Sequence, residues 1–277
     1  MIAASQLLAY NCGQSIPRGE RMQLDGKTIV VTGGNSGIGA ATAIAAAAEG
    51  ARVVIDYVAH PDDTADLVQQ IVSTGGEAIG VEADVSQPDG IQKLIRAAVD
   101  EFGRLDVFVN NAGIEKRMSL LEIDEDTFDE VIAVNVRSAF FGTKLAAEQF
   151  IQQGPEGGVV VNMSSVHEDW PMPGNIAYCV SKGAMRMLTR TAGVELGPHG
   201  VRVVNVAPGA VNTPINAATM TDPDSRRKLE QSIPLRTVAD PSAIADTVIF
   251  VASNQGRYLT ATTVFVDGGI MQGSVGL

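Results

Sequence analysis

The chain has 277 residues, of which 45% are hydrophobic and only 5% aromatic. That length suits one large α/β domain with enough apolar side chain to bury a sizeable core. A formal charge of −12 repels nucleic acid and anionic membrane, so both are disfavoured as partners; an anionic small molecule is still admissible, because a phosphate site needs only local backbone donors.

Residues 1–21 read as a flexible N-terminal extension. The mildly apolar stretch 1–10 lacks the basic start of a signal peptide, and its apolar core is short. The folded unit is expected to span 22–277, beginning where Met22 precedes Gln23-Leu24-Asp25-Gly26-Lys27. A first strand is predicted over 28–32, followed by a glycine-rich turn and an alanine-rich helix over 40–50. Strands at 51–57 and 78–82 flank a helix at 64–75. A helix at 87–102 leads to a strand at 107–110, and a long helix at 127–153 leads to a strand at 158–163. A helix at 178–197 precedes a strand at 201–207, and a helix at 241–253 precedes a last strand at 263–266. Nearly all these strand runs are apolar throughout, as strands buried on both faces must be. The alternation predicts an α/β fold: a single-domain Rossmann, doubly wound seven-stranded parallel sheet with helices on both faces. Gly50 and Gly75 fit helix ends. Ser86 and Asp240, each ahead of a proline-led first turn, fit helix starts. The stretch 212–234 is rich in turn residues and charge, and reads as a mobile substrate lid over the sheet's carboxyl edge.

The sharpest local feature is Thr32-Gly33-Gly34-Asn35-Ser36-Gly37-Ile38-Gly39, between a buried strand and a helix. Such a turn lets backbone approach a pyrophosphate, and the helix start offers free N–H groups at its positive end. The spacing Gly-x3-Gly-x-Gly differs from the commoner Gly-x-Gly-x2-Gly. The second predicted strand ends Val54-Ile55-Asp56-Tyr57, where a carboxylate can accept from ribose hydroxyls. Asp84 and Val85 follow the third strand, where an adenine would reach, and Asn110-Asn111-Ala112-Gly113 ends the fourth.

The chemical end is Tyr178-Cys179-Val180-Ser181-Lys182, a phenol and an ammonium one helical turn apart. A free tyrosine, with a pKa of about 10, is a poor base near neutrality, and a nearby cation is expected to lower that value. Ser164 and Ser165 end a buried strand. Asn135 sits amid apolar helix, where a bare amide needs partners. Asn205 to Thr213, through Pro208-Gly209 and Val211, forms another loop at the same sheet edge. In a doubly wound sheet these positions converge where ligands bind.

Taken together, Thr-Gly-x3-Gly-x-Gly, Asn-Asn-Ala-Gly, the mid-helix Asn, a Ser thirteen residues before Tyr, Tyr-x3-Lys and Pro-Gly resemble the short-chain dehydrogenase/reductase family over residues 24–272. The thirteen-residue spacing selects Ser165 rather than Ser164. The resemblance implies a catalytic tetrad of Asn135, Ser165, Tyr178 and Lys182. Ser165 would orient the substrate oxygen and Tyr178 pass its proton. Lys182 would lower the Tyr178 pKa and bind ribose, and Asn135 would hold a relay water. NAD or NADP is implied as cofactor, with Gly33, Asn35, Ser36, Gly37, Ile38, Gly39, Asp56, Tyr57, Asp84, Val85, Asn111, Ala112, Gly113, Tyr178, Lys182, Pro208, Gly209, Val211 and Thr213 around it.

A finer resemblance, through Asn162 to Glu168, Ala210 to Asn216 and Asp267-Gly268-Gly269, is to the bacterial glucose 1-dehydrogenases. It implies sugar contacts from Glu115, Ser165, His167 and Asn212, while a shared structural loop explains His167 and Glu168 equally well. Asp169-Trp170-Pro171-Met172-Pro173-Gly174 departs from that group and makes the pocket more apolar. A 3-oxoacyl or other ketone reductase of the same family is the alternative, and a non-catalytic dinucleotide-binding sensor is the alternative of a different class. The family's NAD-selecting Asp would fall at Tyr57, one place after Asp56. Its NADP-selecting bases would fall at Ser36 and Val58, neither of them basic, which favours NAD. The resemblance also implies a homotetramer built on the helices at 127–153 and 178–197 and the last strand. Two cysteines, Cys12 and Cys179, are too few for a disulfide scaffold and lack metal-ligand spacing. A reducing, cytoplasmic setting without a metal is therefore expected, and no run of about 18 apolar residues suggests a membrane span.

Overall fold

Strands rich in valine and isoleucine present apolar side chains on both faces, so they are stable only between two helical layers. A computed structural model describes residues 22–273 and shows that arrangement. Strands β1 (Thr28–Val31), β2 (Arg52–Tyr57), β3 (Glu77–Glu82), β4 (Val107–Asn110), β5 (Gly158–Met163), β6 (Val201–Pro208) and β7 (Thr262–Val266) form one sheet in the order β3-β2-β1-β4-β5-β6-β7. Every pairing is parallel. Successive residues serve opposite layers. Ile29, Val31, Val53 and Ile55 pack against α1 (Gly37–Ala48), α2 (Pro61–Ser73) and α9 (Pro241–Ala252). Val30, Val54, Phe108 and Val160 pack against α3 (Pro88–Phe102), α5 (Ser138–Gln153) and α6 (Ile176–Leu196). The chain runs outward from β1 to β3, then returns to build β4 to β7 on the other side. The crevice beyond the carboxyl ends of β1 and β4 is therefore the switch point where ligands bind in such sheets.

Three elements differ from the sequence expectation. The helix expected over 127–153 is divided: α4 (Glu125–Ile132), a π-helical turn (Ala133–Arg137), then α5. Asn135 sits in that turn, and its amide is drawn out of the helix surface toward Ile114. The start of α3 is capped by Gln87, not Ser86, without a side-chain bond, whereas Asp240 does cap α9 by accepting from the Ser242 N–H. The stretch 212–234 is not plain loop: it holds a 3₁₀ turn (Pro214–Asn216), α7 (Ala217–Thr221) and α8 (Pro223–Ser232). The extension 1–21 and Cys12 lie outside the described residues. No helix among the described residues is long and apolar enough to cross a membrane.

One row of the sheet is polar. Asn110, Asn162, Asn205 and Thr263 are register partners across β4, β5, β6 and β7. All three asparagines are buried, so each amide needs partners. Asn110 Nδ2 donates to Asn162 Oδ1 at 2.7 Å, and Asn162 Nδ2 donates to Thr189 Oγ1 of α6 at 2.7 Å. Thr189 in turn donates to Asn205 Oδ1. The row fixes strand register and ties α6 to the sheet. Asn162→Ala is expected to lower unfolding stability by about 2–3 kcal/mol, through a small cavity and an unpaired buried amide. Urea unfolding checks this, and an unchanged midpoint would mean the row is dispensable.

Candidate active site

The glycine turn after β1 is held from three sides. Gly33 N–H donates to Asp56 Oδ2 at 2.9 Å. Asn111 Nδ2 donates to the carbonyls of Thr32 and Gly33 at 2.8 and 3.0 Å. Asn35 Nδ2 donates to Ala59 O at 2.8 Å and to Thr64 Oγ1 at 3.1 Å. Gly33 and Gly37 adopt φ +56° and +51°, which side chains rarely tolerate. Helix α1 then starts with no side-chain cap from Ser36 and no acidic residue in its first turn. Its leading N–H groups are left to a ligand, and Ser36, Gly37 and Ile38 line the cleft. This start fits a pyrophosphate.

The cleft holds about 860 Å³ and runs from this turn to the start of α6. At its inner end stands Tyr178, half-buried. Ser165 is 6% exposed and lines the same cleft, where its hydroxyl acts on the Tyr178 phenol. Lys182 is 4% exposed; its Nζ donates to Met163 O at 2.7 Å and lies 5.4 Å from the Tyr178 ring centroid. Serine, phenol and ammonium therefore face one space, which also meets the glycine turn. Burial pushes the Lys182 pKa down to about 8, against the opposing pull of the Glu168 charge. Burial also pushes Tyr178 up to about 12, with the Ser165 bond lowering it and the Glu115 charge raising it. Desolvation of the phenolate thus outweighs the lowering expected from Lys182 in the sequence, because the ammonium faces the ring and spends a hydrogen on a carbonyl.

The comparisons with known proteins agree with this geometry. A family model described as Enoyl-(Acyl carrier protein) reductase matches residues 33–271. The 3β-hydroxysteroid dehydrogenase 1 of Eggerthella lenta is 41% identical over 89% of this chain and 94% of its own. The chain belongs to the short-chain dehydrogenase/reductase family. Glucose 1-dehydrogenase 2 of Bacillus subtilis is 38% identical over 89% of this chain and 95% of its own. A crystal structure of a putative gluconate dehydrogenase from Agrobacterium tumefaciens aligns with TM-score 0.85 at 30% identity, covering 91% of this chain and 98% of that one.

Most of the site residues expected from the sequence line the cleft. Tyr57, Asp84, Val85, Asn111, Ala112, Gly113, Pro208, Gly209, Val211 and Thr213 all do. Three do not. Gly39 lies beneath the turn, where an added Cβ would sit 2.3 Å from Gly33 O. Asn212 is exposed, outside the cleft lining, while its neighbour Asn216 lines it. Asn135 is fully buried: its Oδ1 accepts from Ile114 N at 2.8 Å, and its Nδ2 donates to Ile114 O at 2.9 Å and Ser181 Oγ at 3.0 Å. Both amide hydrogens are used, so the side chain clamps the loop after β4, and a relay water would have to donate to Oδ1 or to the Asn135 backbone carbonyl.

Other readings also change. Glu115 Oε1 is taken by Arg117 Nε at 2.6 Å. His167 Nδ1 meets Trp170 O at 3.0 Å and its ring stacks on Trp170, so Nε2 is the nitrogen left for a ligand. Ser164 also lines the cleft, but its hydroxyl is spent on Glu168 Oε2 at 2.6 Å. Ile114, Val134, Ile215, Leu229 and Ile270 add an apolar wall. Sequence reasoning named none of them singly, although Ile215 and Leu229 fall in the stretch 212–234 expected as a lid, because no motif marks which loop residue faces a pocket.

Asp56 is turned into the glycine turn. Its Oδ1 is buried without a protein partner, and burial with the nearby Asp84 charge pushes its pKa up to about 7 despite the Gly33 bond. A raised folded pKa means stability is greatest below the unfolded value and declines as pH rises to about 7. Asp56→Asn keeps an acceptor for Gly33 and removes the buried charge. It is expected to stabilise the protein by roughly 2–4 kcal/mol above pH 7, less and less as pH falls toward 4. Melting curves across pH check this; an equal gap at every pH would contradict it.

Proposed function

We propose that the protein moves a hydride between a nicotinamide dinucleotide and a carbon bearing a hydroxyl or carbonyl group. The observation that carries the reading is a phenol flanked by a buried serine and a buried ammonium, in a cleft opening at an uncapped helix start. When bound, the coenzyme supplies or accepts the hydride, and its oxidised form adds positive charge to the cleft. Ser165 orients the substrate oxygen. Tyr178 takes the hydroxyl proton on oxidation and returns it on reduction. Lys182 has N–H groups beyond the one on Met163 O, and these suit a ribose hydroxyl. Asn135 keeps the loop after β4 in position. The Ser36 and α1 end suits the pyrophosphate, and Val211 and Thr213 suit the carboxamide.

NAD is the preferred coenzyme in this reading. Tyr57, Val58, Ala59 and His60 line the cleft after β2 without a Lys or Arg for a 2′-phosphate. Asp56 contributes indirectly, by holding the turn. For the substrate, Trp170, Met172, Ile215 and Leu229 favour a bulky, largely apolar alicyclic secondary alcohol or its ketone, and the similarity to a hydroxysteroid dehydrogenase supports this. The free Nε2 of His167 and the similarity to a glucose dehydrogenase favour a sugar as the second reading.

Tyr178→Phe is expected to reduce turnover by about a thousandfold or more, the scale of a lost general acid–base group. NADH binding should persist, read by quenching of Trp170, which is the only tryptophan and lines the cleft. Absorbance at 340 nm with NAD or NADP against alicyclic alcohols, sugars and ketones reports turnover. Full activity in Tyr178→Phe would refute the mechanism; greater turnover of sugars than of alicyclic alcohols would reverse the substrate order.

The helices α5 and α6 and strand β7 leave Phe140, Ile151, Val180, Met187, Val194 and Phe265 exposed. These faces support self-association, as a homotetramer in the reading by family resemblance. Sedimentation at micromolar concentration is expected to show no 29.0 kDa species, and a clean monomer would exclude it.

A further inference from the structure

Glu168 is a buried carboxylate beside the serine loop, and hydride transfer as described gives it no task. Its side chain has no exposed surface. Three donors from separate elements converge on it. Ser164 Oγ donates to Oε2 at 2.6 Å and Asn205 Nδ2 to the same oxygen at 2.9 Å. Thr263 Oγ1 donates to Oε1 at 2.7 Å. On its other side, Arg186 Nε of α6 lies 3.8 Å from Oε1, and Arg186 Nη1 pairs with Asp169 at 2.6 Å. An amide or apolar residue would fill the same space with less desolvation. A carboxylate with a converging donor set at this place calls for another explanation.

The surroundings supply one. Ser164 is the neighbour of Ser165, and Asn205 and Thr263 belong to the polar row across β6 and β7. Arg186 is one turn beyond Lys182 on α6. Glu168 thus joins the serine loop, two strands and the helix that carries the phenol and ammonium. Its backbone packs on α6 beside Lys182, with Glu168 O 4.0 Å from where a Cβ on Gly183 would sit, and the Lys182 ammonium, between the Tyr178 ring and Met163 O, is otherwise desolvated. Tyr178 is faced by Glu115 from the loop after β4 and by Cys179. The groups that β6 and β7 bring to Glu168, Asn205 and Thr263, are neutral. Glu168 therefore supplies the negative charge that acts on Lys182.

We propose that Glu168 is a positioning residue for the reaction: its carboxylate locks the Ser165 loop to α6, β6 and β7 and keeps Lys182 charged in its dry site. The proposal rests on the reading of Lys182 as a coenzyme contact. Loss of the carboxylate leaves burial unopposed at Lys182, so the ammonium discharges at lower pH.

The test is NADH affinity against pH, read by Trp170 quenching, which needs no knowledge of the substrate. For the unaltered protein, affinity falls as pH rises through about 8. In Glu168→Gln the midpoint of that fall moves down by about one unit. In Glu168→Asp, which keeps the charge, it stays near its original place. A midpoint unmoved in Glu168→Gln, with only a lower melting temperature, overturns the proposal, since a purely structural carboxylate has no effect on the titration. Should Glu168→Gln fail to fold, Glu168→Met, which fills the same space without charge, is read the same way: the midpoint falls, and an unchanged value overturns the proposal. Lys182→Gln separates the two levels. If it retains the alkaline fall, the coenzyme contact itself is misassigned; if it abolishes the fall while Glu168→Gln leaves it in place, only the role of Glu168 is lost.

Discussion

The site depends on one hydrogen bond, from Lys182 Nζ to the carbonyl of Met163. It joins the helix bearing the phenol to the end of the strand bearing the serine. An ammonium has three hydrogens and no acceptor, so the first bond fixes the stem and the others remain for ligands. The same bond requires the ammonium to sit in a dry place, where charge is penalised. Burial accordingly draws the Lys182 pKa down and the Tyr178 pKa up. Each shift alone works against an acid–base couple at neutral pH. The Ser165 bond and the Glu168 charge oppose them, and so the chemistry belongs to the assembly of loop, helix and strands more than to the Tyr-x3-Lys pair.

The fold was largely legible in the sequence because its signal is local. A strand buried on both faces has to be mostly apolar, and β1, β2, β4, β5 and β6 show it, while the edge strands β3 and β7 are partly exposed. The glycine turn was legible for the same reason, since positive φ at Gly33 and Gly37 constrains residue type at the position itself. What failed to show was geometry set by non-local partners. The π-helical turn at Ala133–Arg137 looks in sequence like ordinary amphipathic helix. Its cause lies 21 residues away, in the backbone of Ile114. Glu168 is one of many acidic residues until Asn205 and Thr263, 37 and 95 positions further on, are brought onto it.

Asp56 illustrates how narrow the margin is. Along a strand, consecutive side chains alternate in direction, so one position decides whether a carboxylate faces a ligand or the protein. Asp56 and Tyr57 both line the cleft, but Asp56 turns its oxygen into the Gly33 N–H. Its contribution is to the shape of the turn, while the residues around the ribose end are read from what they lack, a cation. The same logic explains Asn135, whose amide is spent on Ile114: a residue recognised by motif can act one layer behind the place the motif suggests.

Substrate choice is the part least written in motifs, for a physical reason. The reacting groups have to meet one geometry whatever the alcohol, whereas the wall opposite them only has to match the remainder of the molecule. Here the wall comes from the 169–174 loop, α8 and the segment after β7, and it is mostly apolar. Among its polar groups, His167 is oriented by Trp170 O at Nδ1, and its ring lies edge-on to Tyr178, 6.2 Å between centroids. A polar analogue entering an apolar wall leaves hydroxyls without partners, a penalty of about 1–3 kcal/mol for each buried group. Hydroxyls that reach Glu115, Arg117, His167, Asn216 or Thr219 find partners, and only those left against the apolar wall are penalised.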